Sequence, residues 1–132
     1  MSETNKRFEL QSWHFKKMSR PRICVDFDGV LNTYSGWKGR EELYKPREGV
    51  YEFLEELDSK FDVVIFTTRD SELVWDWLKK YHFDFFVDEV TDIKGGAVAY
   101  IDDRALKFNG DYAETLSELK EFKTHWEKEL QE

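Results

Sequence analysis

The stretch ICVDFDGVLN, residues 23–32, decides the fold. Ile23, Cys24 and Val25 form an apolar run without alternation, the pattern of a strand buried on both faces. Asp26 and Asp28 flank Phe27, and Gly29 breaks the run. Two carboxylates therefore stand where a buried strand gives way to a turn. Outward from here, Pro21 punctuates the chain ahead of the strand, and Gly36, Gly39 and Pro46 mark 32–46 as a loop or small hairpin. Val50, Phe53, Leu54 and Leu57 recur at helical spacing and predict a helix over 47–58. FDVVIF, residues 61–66, reads as a second buried strand. Asp70 or Ser71 can cap a helix that carries Leu73, Val74, Trp77 and Leu78 on one face. Phe85–Val87 predicts a third strand, Ala97–Ile101 a fourth and Leu106–Phe108 a short fifth. Leu116, Leu119, Phe122, Trp126 and Leu130 line one face of a single closing helix.

Apolar strands alternating with helices predict an α/β, Rossmann-like three-layer fold around a central parallel sheet. Ligands of such sheets bind beyond the carboxyl ends of the strands. Three segments meet that condition: Asp26–Asp28, Thr67–Asp70 and Asp102–Arg104.

The chain has 132 residues, enough for one core. An aromatic fraction of 17% excludes disorder as its main state. The formal net charge is -8, which opposes non-specific binding to nucleic acid or membrane. That charge is uneven. Lys6, Arg7, Lys16, Lys17, Arg20 and Arg22 outnumber Glu3 and Glu9, giving residues 1–22 a net +4 and leaving -12 for the rest. Residues 1–20 read as a basic N-terminal extension in which Phe8, Leu10, Trp13 and Phe15 fit neither period, and 21–132 as a single catalytic domain. The one cysteine, Cys24, lies in an apolar run and reads as a buried, inert thiol, with no disulfide framework. No apolar stretch approaches the ~20 residues that span a bilayer, and no signal-peptide core is visible. The expectation is a cytoplasmic protein with no membrane partner.

Asp26 and Asp28 end the first strand; Asp102 and Asp103 end the fourth. If those strands are neighbours, four carboxylates converge. Such crowding raises carboxyl pKa values unless a divalent cation relieves it, and hard oxygen donors suit Mg²⁺. Thr67 adds a hydroxyl at the end of strand two, with Thr68 a rival for the position. Lys94 could bring a positive charge to the same side. Each Asp could instead cap a helix or face solvent. An EF-hand reading of 26–29 fails, because a strand precedes it and the later ligands are missing.

With these pieces in order, the chain resembles the haloacid dehalogenase superfamily of aspartyl-phosphate enzymes. DFDGVLN (26–32) is similar to its first motif, VIFTTR (64–69) places Thr67 at the second, Lys94 stands where the third motif's lysine is expected, and AYIDDRA (99–105) is similar to a paired-aspartate fourth motif. The resemblance implies that Asp26 is a nucleophile and Asp28 a general acid and base. It also implies that Thr67 donates to the phosphoryl group and that Lys94 balances its charge. Mg²⁺ would be held by Asp26, the Asp28 carbonyl and Asp102, with Asp103 acting directly or through water. Thr68, Arg69 and Arg104 are candidate substrate contacts; each arginine could equally form a surface ion pair.

Asp28 to Thr67 spans 39 positions and Thr67 to Lys94 spans 27, too few in either gap for an inserted cap domain. The resemblance therefore implies an open, capless phosphomonoester hydrolase. Its partner would be a phosphorylated substrate, either a small phosphomonoester or a nucleic-acid end, since IDDR and the open site also resemble polynucleotide 3′-phosphatase domains. A neighbouring copy in a homo-oligomer could complete the pocket. Tyr34, Trp37 and Tyr44, in the one segment able to act as a local lid, could stack on a base or pack on the domain. A degenerate binding or regulatory module and a phosphotransferase are the competing readings.

Overall fold

The computed structural model describes residues 20–131. The basic extension and its aromatic residues, up to position 19, lie outside them. The elements run β1 (Arg22–Asp26), α1 (Val50–Asp58), β2 (Asp62–Phe66), α2 (Ser71–Lys80), a 3₁₀ turn (Asp84–Phe86), β3 (Glu89–Thr91), β4 (Ala99–Ile101), α3 (Tyr112–Glu121) and α4 (His125–Gln131). The four strands form one parallel sheet in the order β3-β2-β1-β4. This is the Rossmann-like α/β architecture that the sequence predicts, and no cap domain interrupts it among the described residues.

Strand periodicity sorts the side chains. Ile23, Val25, Val63 and Ile65 face α1 and α2, meeting Val50, Leu54, Val74, Trp77 and Leu78 in one buried core. Enclosing a side chain such as Leu54 or Ile65 stabilises the fold by about 2 kcal/mol. Cys24 and Val64 are buried on the opposite parity, and burial pushes the Cys24 thiol pKa up, in keeping with an inert thiol.

Helix α2 begins where the sequence puts it. Asp70 accepts the N–H groups of Glu72 and Leu73 at 2.9 and 3.4 Å. Helix α1 starts after Gly49, whose φ of 90° is accessible to glycine without strain. The loop 32–46 is pinched shut by an antiparallel bridge between Asn32 and Pro46.

Three expectations are corrected. Phe85–Val87 is not a strand. Phe83 and Phe86 both enter the core, three residues apart, and a 3₁₀ turn aligns that spacing, leaving Phe85 84% exposed. The third strand follows at Glu89–Thr91. Leu106–Phe108 forms no fifth strand; Phe108 instead stacks on Tyr112, with ring centroids 5.1 Å apart. The single closing helix is two helices. Phe122 turns extended at ψ 131°, and Thr124 starts afresh in a reciprocal box with Glu127, each backbone N–H donating to the other's side chain. Helix α3 buries none of its side chains, so Leu116 and Leu119 are exposed. No helix among the described residues is long and apolar enough to cross a membrane.

Candidate functional site

Sheet register assembles the site. Val25 pairs with Ile101, so the next residues, Asp26 and Asp102, leave the sheet side by side. Asp26 pairs with Phe66, which brings Thr67 to the same end on the other flank. Asp26, Asp28, Thr67, Thr68, Arg69, Asp102 and Arg104 line one open pocket of about 280 Å³, with Tyr34 and Trp37 at its wall.

Asp26, Asp102 and Asp103 offer one carboxylate oxygen each within 4.8 Å of one another. Three carboxylates converge rather than the expected four. The Asp28 side chain lies outside this cluster, where both of its oxygens accept the Nε–H of Arg69, at 3.0 and 2.8 Å. Asp28 Oδ1 also accepts from Asn32 Nδ2 at 2.9 Å. A cation at the cluster could still meet the Asp28 backbone, as the resemblance implies, but not its engaged carboxylate.

The crowding has an electrostatic cost. Burial pushes the Asp26 pKa up to about 8, aided by the charge of Asp102 and by hydrogen bonding to Asp103. Without a cation, the hydrogen-bonded Asp26 and Asp103 carboxyls together hold a proton more tightly than free carboxylates do. A second observation points the same way. Asp103 is 3% exposed at its side chain; its Oδ2 accepts the Trp126 indole N–H at 2.9 Å, while its buried Oδ1 meets no hydrogen-bond donor when Asp26 is ionised. An orphaned buried carboxylate oxygen beside two further carboxylates is a donor set fitted to a hard divalent cation.

Thr67 is buried, and its Oγ1 accepts the Arg69 N–H at 3.1 Å, leaving the hydroxyl hydrogen to donate into the pocket. Thr68 is exposed beside it. Arg69 is 4% exposed at its side chain, yet its Nη2 has no partner. The ring of Trp37 lies 4.9 Å from its guanidinium carbon. Arg104 is exposed; its backbone N–H donates to Asp102 Oδ1 at 2.8 Å and its guanidinium lies over Tyr34 and Trp126. Neither arginine sits as a plain surface ion pair. Lys94 stands on the Asp26 and Asp102 side of the site. It lines a smaller adjoining depression with Asp26 and Asp102, and its ammonium rests over the Tyr100 ring, 4.4 Å from the centroid.

Of the three aromatics in the local lid, Tyr34 and Tyr44 pack edge to face against each other at 5.6 Å. Trp37 stays 63% exposed at the pocket mouth. The lid is tied down by Arg40, which pairs with Asp70 at 2.5 Å, and by the Trp77 indole N–H, which donates to the Tyr44 carbonyl at 2.8 Å.

Two supporting residues were not legible as such in the sequence. Asn32 is fully buried. Its Oδ1 accepts the N–H groups of Gly29 and Tyr34 at 2.9 and 3.1 Å, and its Nδ2 donates to Asp28 and to the Leu43 carbonyl. The only signal is a polar side chain closing the otherwise apolar Val30-Leu31 pair. Trp126 reads as one more apolar residue on a helical face, because the spacing cannot show where an indole N–H points. Gly29 links the two. Its φ is +83°, and a Cβ there would overlap the Asp103 carboxylate.

No known family model matches this chain, and no curated protein matches it. Among solved structures, a conserved protein coded by a locus of Bacteroides thetaiotaomicron is similar, with 20% sequence identity and a TM-score of 0.51 over 80% of this chain and 94% of that one. This likeness is one of fold.

Proposed function

We propose that the chain is a Mg²⁺-dependent phosphomonoester hydrolase that works through an aspartyl-phosphate on Asp26. The observation that carries this reading is the meeting of Asp26, Asp102 and Asp103 within 4.8 Å at the carboxyl end of a parallel sheet, with Thr67 and Arg69 on the other flank. Bound there, Mg²⁺ would neutralise the carboxylates and the phosphoryl oxygens, using oxygens of Asp26, Asp102 and Asp103.

The chain's own groups supply the rest. A carboxylate oxygen of Asp26 attacks phosphorus, and the bond from phosphorus to the ester oxygen breaks. Asp28, which must loosen its pair with Arg69 to carry a proton, gives one to that leaving oxygen, then takes one from the water that cleaves the aspartyl-phosphate, which returns Asp26 and releases phosphate. The Thr67 hydroxyl and the unpartnered Nη2 of Arg69 donate to the phosphoryl oxygens as their charge rises. Lys94 balances charge from the adjoining depression. Arg104 and Thr68 stand at the pocket wall, where substrate groups beyond the phosphate would pass. The exposed ring of Trp37 favours substrates with a flat group near the phosphate, such as a nucleotide or a nucleic-acid 3′-end.

Hydrolysis of an aryl phosphate, with Mg²⁺ and then with chelator, tests the reading. Metal-dependent release of phosphate that Asp26→Asn abolishes is the expected result. Binding of phosphorylated ligands without turnover would instead favour a binding module. Phosphate appearing on an added alcohol in preference to water would favour a phosphotransferase.

A further inference from the structure

The last helix of the described chain holds the site together from outside the sheet. Thr124, 2% exposed, anchors the start of α4. The next residue, His125, places Nε2 2.9 Å from the carbonyl of Gly29, in the loop that follows Asp28. Trp126 then makes three contacts. Its indole N–H donates to Asp103 Oδ2 at 2.9 Å, its ring meets Tyr34 edge to face at 5.1 Å, and the Arg104 guanidinium lies 5.6 Å from its ring. These residues join the loops after β1 and β4 and the lid segment. Helix α3 buries no side chain, so among the described residues this turn supplies the buried contacts of the C-terminal helices.

The Asp103 carboxylate is the shared part. One of its oxygens is fixed by the indole, and the other is buried without a partner beside Asp26 and Asp102. A hydrogen bond to the outer oxygen of a metal-binding carboxylate sets its orientation, and losing such a partner typically costs about 10–100-fold in metal affinity. Two events that use opposite edges of one carboxylate are coupled, and the coupling is reciprocal.

We infer that α4 is a latch on the cation site: Trp126 is a positioning residue that orients Asp103, so docking of α4 and binding of the cation strengthen each other. This rests on the reading that the three aspartates hold a divalent cation.

The test uses the full chain and Mg²⁺ alone. Calorimetric titration compares the wild type with Trp126→Phe, which keeps a ring against Tyr34 and Arg104 but lacks the N–H, and with Leu119→Ala on exposed α3. Trp126→Phe is expected to weaken Mg²⁺ binding at least tenfold, whatever the fall in the cation-free melting midpoint from leaving the buried Asp103 oxygen unpaired, and Leu119→Ala to leave affinity unchanged. Equal affinity in Trp126→Phe, or a lowered midpoint with unchanged affinity, overturns the latch and leaves the cation reading standing. A wild type that binds no divalent cation removes the cation reading and the latch with it. A second measurement needs no variant. Amide hydrogen exchange across 125–131 is expected to slow in saturating Mg²⁺; rates that do not change overturn the coupling even if Trp126→Phe fails to fold.

Discussion

Arg69 grips Asp28 through a single Nε–H that both carboxylate oxygens accept, at 3.0 and 2.8 Å. The pair joins the segment after β2 to the segment after β1, so the two strand ends hold each other in place. It also leaves the buried Arg69 Nη2 without a hydrogen-bond partner. Arg69→Ala should lower stability by about 2 kcal/mol, the usual worth of a hydrogen bond to a charged group. It should lower phosphatase turnover by tenfold or more, because Asp28 loses its orientation. Lysine, a point charge without the planar fork, should restore stability better than turnover. Chemical denaturation beside steady-state kinetics separates the two; a variant with normal turnover would remove Arg69 from the mechanism.

Asn32 makes four hydrogen bonds from a fully buried position, one of them to Asp28. Asn32→Leu keeps the approximate volume and strands the N–H groups of Gly29 and Tyr34 and the Leu43 carbonyl. Each stranded group costs about 1–3 kcal/mol. A loss of at least about 3 kcal/mol in urea denaturation is expected, and a loss under about 1 kcal/mol would show that water takes over these bonds.

Asp26 gives stability a pH dependence of defined sign. Its folded pKa of about 8 lies well above the roughly 3.9 of an unfolded aspartate. Between those values the folded chain binds a proton that the unfolded chain does not. The contribution is therefore complete below about pH 4 and is lost as the pH climbs through about 8. Melting midpoints without cation should fall more steeply from about pH 5 to about pH 9 in the wild type than in Asp26→Asn. Mg²⁺ must displace that proton, so its stabilisation should grow over the same range. Parallel curves for the two proteins would mean that Asp26 ionises normally.

Trp37 stands 63% exposed, with one ring face toward Arg69. Trp37→Ala should leave hydrolysis of a small aliphatic phosphate nearly unchanged and raise KM for a mononucleotide several-fold, since one stacked ring contributes about 1–3 kcal/mol. Equal effects on both substrates would make Trp37 a prop for Arg69 and not a platform for substrate.

The sequence made the sheet and the convergence of its strand ends readable, because buried strands advertise themselves as apolar runs and the polar residues after them stand out. Asp26, Thr67 and Asp102 are found this way. It misread Phe85–Val87 because three apolar residues in a row suit an extended strand as well as a 3₁₀ turn, and only the core contacts of Phe83 and Phe86 decide. It placed Asp28 with the other carboxylates because spacing along a chain does not show which way a side chain turns. Arg69, 41 positions away, takes Asp28 out of the cluster. Trp126 reads as apolar packing because its N–H acts across 23 positions, beyond any local pattern.

The contact between Gly29 and His125 closes a span of 96 positions. Closing so long a loop gives up chain entropy before the contact returns any stabilisation, so such contacts form late in folding. The sheet and the core under α1 and α2 do not need it. A refolding chain should therefore regain its core tryptophan signal, Trp77 among it, before Asp103 is oriented. Recovery of structure and recovery of a competent site would then run on separate clocks, with the first turn of α4 setting the slower one.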